Sequence, residues 1–240
     1  MKSRERRERD FRRREDEFLD LARRLIIEQG YAGFGMDRLA EATEYSKGTV
    51  YLHFTSKEDV VVALACQSMR RRVDFFDRAA RFAGRPRERM TAIGVAEEQF
   101  FRHHSYNYRS EQIIKLASLE ERASPERTAD LHRLEQACFS GLLRITNEAV
   151  MAGELQLTPP FGEADVCLGV WASLSGTFGV AQNYRPLLDA VGLADPLAGL
   201  RRVLQATFDG LGWRPLTAEW DYAETYQRIE REVFPGESAD

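Results

Sequence analysis

The sequence has little of what marks a membrane, secreted or disulfide-bonded protein. It carries three cysteines in 240 residues, Cys66, Cys138 and Cys167, without any C-x-x-C pair. Neither a disulfide framework nor a zinc cluster is therefore expected. No apolar run approaches the roughly 20 residues that span a bilayer, and residues 2–14 are mostly arginine and acid. We expect a cytoplasmic protein that does not enter the membrane.

Motifs of common enzyme and metal sites are also missing. The chain has no H-E-x-x-H sequence, no Walker phosphate loop and no G-x-S-x-G elbow. Gly33 and Gly35 would begin a dinucleotide fingerprint, but Arg38 stands where its third glycine is needed. The adjacent His103 and His104 would point roughly 100° apart on a helix, which disfavours a shared metal ion. We expect neither an enzyme nor a metal or cofactor site.

The charge is uneven along the chain. The net charge is -4, yet residues 1–57 carry 13 basic and 11 acidic residues. An acidic protein is not expected to coat nucleic acid indiscriminately. The excess of basic over acidic residues therefore lies in the N-terminal 57 residues.

Proline is absent before Pro86, and the alternating β-branched pattern of strands is missing, so we predict an all-α fold. Apolar residues at three-, four- and seven-residue steps predict a first helix from about Arg12 to Gln29, ended by Gly30 in a left-handed conformation. A short helix is predicted over 36–43, and Ser46 has the residue type of an N-cap for a third helix. Further helices are predicted over 56–82, 87–104, 108–121, 125–151, 163–184, 195–212 and 217–233.

The second and third predicted helices have the spacing of a helix-turn-helix. Ala40 is the small residue where the two helices would touch, and Leu39 and Val50 would close their apolar seam. Phe54 is expected to pack in the core as well. The first turn of the third helix would face solvent, where backbone N–H groups and polar side chains suit phosphates and base edges. The candidate DNA contacts are Lys47, Gly48, Thr49, Tyr51, His53 and Lys57.

The run from Ala40 to Asp59, AEATEYSKGTVYLHFTSKED, resembles the DNA-binding signature of the TetR family of one-component regulators. SKGTVY and FTSKE are its most specific parts, and the resemblance spans about residues 18–64. It implies a three-helix helix-turn-helix domain and a larger C-terminal helical domain for ligand binding and dimerisation. The function it implies is a homodimeric repressor that a small-molecule effector releases from double-stranded operator DNA.

Two positions depart from the family pattern. The turn between the helices usually carries glycine and then an aliphatic residue, whereas Glu44 and Tyr45 stand there in this chain. We therefore expect a strained or altered turn at Glu44. Gly35 replaces the threonine that often caps the second helix.

The predicted domains are consecutive segments of the chain. Residues 1–57 form an arm and the helix-turn-helix, 58–84 a connecting helix, and 85–240 the C-terminal domain. In the arm, residues 2–14 carry eight basic and three acidic residues. Two interpretations stay open: a solvated, disordered tail, or an arm whose Arg12, Arg13 and Arg14 approach a minor groove or the DNA backbone.

Two apolar stripes near the C-terminus predict a helix-helix interface. Small residues recur along 166–180 beside Leu168 and Trp171, and leucines recur along 197–211. The stripes would complete a four-helix bundle with a second copy, or else form intramolecular core.

The segment 100–109 combines aromatic bulk with hydrogen-bonding groups, which is typical of a ligand pocket and equally of a helix end followed by a polar loop. The aromatic residues outside this segment are also ordinary core candidates. The candidate pocket residues are Phe101, His104, Tyr106, Phe139, Trp171 and Phe178.

Overall fold

In a computed structural model, the chain is all-α over the residues that the structure describes, which are 2–116 and 119–236, with side chains for 4–104 and 119–236. No strand occurs among these residues, which confirms the predicted fold class. A turn of 3-10 helix at Leu119–Arg122 separates the fifth and sixth helices. The helices are α1 (Lys2–Gly33), α2 (Met36–Ala42), α3 (Lys47–Tyr51), α4 (Lys57–Ala80), α5 (Pro86–Leu116), α6 (Pro125–Met151), α7 (Glu163–Asn183), α8 (Arg185–Ala190), α9 (Pro196–Gly210) and α10 (Tyr222–Val233).

The chain divides into two compact units. The first contains the residues up to Arg70 together with Tyr106–Leu134, and the second contains Arg71–Ser105 together with the residues from Glu135 onward. The boundary therefore falls inside α4, α5 and α6, whereas the predicted division used consecutive segments. The helix-turn-helix and the start of α6 belong to the same unit.

Most helix boundaries agree with the sequence pattern, and the differences have local causes. Gly30 has φ 72°, a conformation that costs glycine little, and it breaks α1 where the predicted helix ends. The backbone also leaves helical geometry at His104, inside α5, where another predicted helix ends. The segment after Pro186 was predicted as a break, yet it forms α8, because proline fits the first turn of a helix.

Apolar side chains of α1, α2 and α3 fill the core of the first unit. Phe18, Leu39, Val50 and Phe54 have no exposed surface. This confirms the seam predicted between Leu39 and Val50. Burying a side chain of this size contributes roughly 1.5–3 kcal/mol, so the seam fixes α3 against the helices behind it.

A buried carboxylate fixes the start of α4. Asp59 Oδ2 accepts a hydrogen bond from the Thr55 N–H at 3.0 Å, while the Asp59 N–H donates to Ser56 Oγ at 3.1 Å. This resembles a capping box, except that the carboxylate reaches Thr55 instead of Ser56. Asp59 Oδ1 accepts from the N–H and the hydroxyl of Ser124, at 2.9 and 2.7 Å. The same carboxylate therefore holds α4 and the segment just before α6.

The environment of Asp59 also sets its protonation. Burial alone would raise its pKa, but hydrogen bonds from Ser124 and Thr55 and the charge of Arg127 hold the pKa below its ordinary value of 3.8. A carboxyl whose folded pKa is depressed stabilises the fold above its unfolded pKa. That stability is lost as the pH falls through the folded pKa.

Replacing Asp59 by asparagine should lower the free energy of unfolding by about 2–4 kcal/mol at pH 7, because one amide oxygen cannot accept from both Thr55 and Ser124. Urea unfolding measures this loss, and the difference from wild type should shrink below about pH 4. Asp189→Asn is the matched control, because Asp189 is exposed and pairs with Arg185 one turn away on α8. Its effect should stay within about 0.5 kcal/mol. Equal losses in the two variants would contradict this role.

A buried cation ties together the second unit. Arg87 of α5 has no exposed side-chain surface and lies 2.8 Å from Asp209 of α9. It also donates to the carbonyl oxygens of Trp213 and Pro215 and to Gln205 Oε1. These partners satisfy a charge that would otherwise be costly to bury. The interaction holds α5 to α9 and to the chain that follows it.

Candidate nucleic-acid interface

Helix α3 begins at a well-formed cap. Ser46 has an extended backbone, with φ -65° and ψ 150°, and its Oγ accepts a hydrogen bond from the Thr49 N–H at 3.2 Å. The hydroxyls of Ser46 and Thr49 also lie 2.9 Å apart. The predicted N-cap is confirmed, and it fixes the first turn of a helix only five residues long.

The outer surface of α3 carries most of the candidate DNA contacts. Lys47 and Gly48 are exposed, Thr49 is half-buried, and Tyr51 keeps 50% of its surface exposed. A Cβ added at Gly48 would meet only Ser46 Oγ, at 3.8 Å. The fold itself therefore does not require glycine at position 48, and the space above its backbone is open to a partner.

Lys47 lies beside an acidic residue of α2. Its Nζ is 2.8 Å from Asp37 Oδ1, and both side chains are more than half exposed. The hydrogen bond to Asp37 and the charge of Asp37 raise the pKa of Lys47, so the ammonium stays charged. An exposed pair contributes little to stability, so a phosphate group can compete for this lysine.

Lys57 lies apart from the α3 contacts, at the first position of α4. Its Nζ is 4.6 Å from the centroid of the Tyr31 ring, and the Tyr31 hydroxyl donates to Glu58 at 3.0 Å. The side chain is half-buried. The cation is therefore held by α1 rather than free to move.

His53 does not face solvent, and this corrects the prediction that it contacts DNA. Its side chain is 1% exposed and its ring stacks on Phe11 of α1, with centroids 3.8 Å apart. Phe18 meets the same ring edge-on at 5.1 Å. His53 lies two residues beyond the end of α3, where the chain turns back towards the core. In the sequence, the signal for this contact is Phe11, an apolar residue in the first helix that can cover the His53 ring.

The surroundings of His53 keep it neutral. Burial lowers its pKa, and Arg14 and Arg127 lower it further, while Glu15 at 3.6 Å opposes them. The net shift is downward from 6.5. His53 therefore offers no positive charge to a nucleic acid at neutral pH.

Arg127 of α6 positions the chain after α3 and was missed by the sequence analysis. Its guanidinium donates to the His53 carbonyl at 3.1 Å and to Glu15 at 3.0 Å, and it lies 5.0 Å from the Phe54 ring centroid. Arg127 is 74 residues from His53 in the chain. No local pattern of the sequence marks such a contact.

The turn before α3 is strained, as predicted. Glu44 has φ 32°, the only positive φ among non-glycine residues that the structure describes. Tyr45 follows with its ring edge against Phe18 at 5.3 Å, and Arg14 lies 5.3 Å from the Tyr45 ring centroid. These contacts hold the aromatic side chain of Tyr45 in the turn.

Replacing Glu44 by glycine should raise the free energy of unfolding by up to about 1 kcal/mol, because glycine adopts a positive φ without the Cβ clash. Glu41→Gly is the control, since Glu41 is an exposed residue inside α2 and should lose about 1 kcal/mol. Urea unfolding of both variants distinguishes the two positions. A loss at Glu44 equal to the loss at Glu41 would show that the turn is not strained.

Two of the candidate pocket residues, Phe101 and Phe178, contact each other. Phe101 stacks on the buried Phe178, with centroids 4.6 Å apart, and His104 lies 5.2 Å from the Phe100 ring. Phe139 is half-buried, and Tyr106 falls outside the side chains that the structure describes.

Trp171 is 57% exposed, and its assignment to a pocket stays a prediction. Val170, Leu174 and Phe178 recur every four residues on the buried side of α7, and Trp171, seven residues before Phe178, lies at the edge of that side. The described residues contain no group of three or more His, Cys, Asp or Glu side chains suited to a metal ion.

Comparisons with known proteins agree with the helix-turn-helix geometry. Residues 18–64 match the family model for bacterial regulatory proteins of the tetR family. Over 96 residues the chain is 32% identical to the HTH-type transcriptional activator FasR of Mycolicibacterium smegmatis, covering 40% of the chain and 44% of FasR. Over 49 residues it is 47% identical to the HTH-type transcriptional repressor AcnR of Corynebacterium glutamicum, covering 20% of the chain and 26% of AcnR. The matches span less than half the length of either relative.

The fold similarity extends further than the sequence similarity. A bacterial regulatory protein in the tetR family from Rhodococcus RHA1 superposes with a TM-score of 0.62 at 16% identity, covering 83% of this chain and 97% of that protein. The sequence similarity to regulators of the tetR family therefore covers the helix-turn-helix region, residues 18–64. FasR and AcnR are transcriptional regulators by name.

Proposed function

We propose that this chain is a sequence-specific DNA-binding transcriptional regulator that reads double-stranded operator DNA through α3. The observation that carries the proposal is the capped first turn of α3, where Lys47, Gly48 and Tyr51 are exposed and Thr49 is half-buried. A helix of this kind enters the major groove, where phosphate contacts fix its register and side chains read base edges.

The candidate contacts divide by chemistry. Lys47 and Lys57 carry charges that suit phosphates, and the open backbone at Gly48 allows a phosphate to approach closely. Thr49 and Tyr51 offer hydroxyl groups and an aromatic ring to the groove. Sequence readout therefore rests mainly on Thr49 and Tyr51, and affinity on the two lysines.

The direct experiment titrates the purified protein against DNA flanking its own gene, with specific and non-specific competitor. Saturable binding that only specific competitor displaces supports the proposal. Weak, sequence-independent binding contradicts it and favours a helical protein that binds other macromolecules.

Replacing Lys47 by glutamine and Tyr51 by alanine together should weaken specific binding about 100-fold, because each contact contributes about 1–3 kcal/mol. Gel-shift titration against the same fragment measures the change. His53→Phe is the matched control, since it keeps an aromatic ring in the buried position against Phe11. Its affinity should stay within about threefold of wild type, and a loss as large as that of the double variant would contradict the assignment.

We further propose that two copies bind together through α7. The large apolar side chains Leu168, Trp171 and Val180 are exposed on this helix. A Cβ added at Gly169, Gly176 or Gly179 would meet no atom within 4 Å, so the backbone there is open to a partner helix.

The surface continues from α7 into α8 and α9. A groove of about 560 Å³ lies along it and is lined by Ala172, Gly176, Val180 and Val203. The leucine stripe of α9, in contrast, is intramolecular core, since Leu197, Leu200 and Leu204 are buried. An exposed apolar surface of this kind favours a homodimer.

Trp171→Glu should convert the dimer to a monomer, because it places a charge among the exposed apolar side chains of α7. Light scattering coupled to size-exclusion chromatography measures the mass. Met151→Glu is the control, since Met151 is 87% exposed at the end of α6. The control should remain dimeric, and a dimeric Trp171→Glu variant would place the interface elsewhere.

Judged by length and composition alone, α7 could cross a membrane. No other helix in the described ranges meets these criteria. A helix that packs against a second copy meets the same criteria. We infer that α7 lies at a protein interface in the cytoplasm and not in a membrane.

Repression and release by a small-molecule effector complete the proposal. The contact of Phe101 with the buried Phe178, near the backbone break at His104, supports a ligand site in the second unit. A ligand that prefers a conformation unsuited to DNA would shift the population away from binding. A hundredfold release requires about 2.7 kcal/mol of differential affinity.

A further inference from the structure

The N-terminal arm is a helix, although its composition also suited a disordered tail. α1 begins at Lys2 and keeps helical geometry up to Gly30. The ion pairs Arg4–Glu8, Arg6–Asp10 and Arg13–Glu17 lie one turn apart along it. Such pairs stabilise an exposed helix by a few tenths of a kcal/mol each. The arm therefore presents its side chains in fixed directions.

Two contacts hold the arm against both ends of α3. Arg14 lies over the ring of Tyr45, which stands two residues before α3. Phe11 stacks on His53, which stands two residues after it. Although Phe11 is 42% exposed, its ring covers the buried His53 and so fixes the arm relative to the candidate DNA contacts.

The arm carries cations on two different sides. Arg7 and Arg14 are seven residues apart and share a side of the helix, with Arg7 about 10.5 Å nearer the N-terminus. Arg14 shows that this side faces the turn before α3. Arg9 and Arg12 lie on the opposite side of the helix, roughly 160° and 220° around its axis from Arg7. Arg23, on the same side as Arg12, contacts Gln67 of α4.

Arg7 is exposed, and the ion pairs along the described part of the arm do not include it. We propose that Arg7 binds a DNA phosphate beside the site read by α3, and that Phe11 positions it there. This inference rests on the proposed DNA-binding function and extends its contact surface beyond the helix-turn-helix.

The test uses the full chain and a duplex that the wild-type protein selects from a random pool. Arg7→Gln should weaken binding about three- to tenfold at 0.1 M salt and make the plot of log K against log salt shallower by about 0.9 for each bound arm. Arg9→Gln is the matched control, because it removes the same charge from the other side of the same helix. It should leave the slope unchanged.

Phe11→Ala separates positioning from charge. It removes no charge, yet it should reproduce the shallower slope of Arg7→Gln while helical content and binding of the selected duplex persist. Equal slopes for wild type, Arg7→Gln and Phe11→Ala on a duplex that all three bind specifically would overturn the inference and leave the proposed function intact. Failure of the wild-type protein to select any duplex would overturn both.

Discussion

The position of the candidate reading helix depends on one buried carboxylate and the arginine beside it. Asp59 accepts hydrogen bonds from Thr55 and Ser124, so the end of the helix-turn-helix and the start of α6 share one anion. Arg127 lies 3.5 Å from this carboxylate and donates to the His53 carbonyl. Because Asp59 is buried, removing the charge of Arg127 would leave this carboxylate without its neighbouring cation. The geometry of α3 and the stability of its unit are therefore coupled.

Local features of this unit were predictable from the sequence because their causes are local. Ser46 caps α3 through a bond to the third residue after it, and Gly30 takes the positive φ that ends the first part of α1. Glu44 is strained because a non-glycine residue occupies a left-handed position. The burial of Leu39 and Val50 follows from helical spacing alone. Each of these depends on a few neighbouring residues.

Partners distant in the chain could not be predicted in the same way. An amphipathic stripe indicates that one face is apolar, but not which surface covers it. The leucines of α9 are covered within the chain, whereas Trp171 of α7 is exposed. His53 has a residue type suited to DNA contact, yet Phe11 and Arg127 determine its environment. The composition of the arm likewise did not decide between a helix and a disordered tail.

The central claim is that the surface of α3 reads DNA, and hydroxyl-radical footprinting tests it most directly. On DNA flanking the gene, a dimer that places two copies of α3 in successive major grooves should protect two segments about 10–10.5 base pairs apart, related by a two-fold axis. Substitution of Lys47 should remove both protected segments together. Uniform protection along the fragment, or none at concentrations where competitor DNA is excluded, would contradict the account.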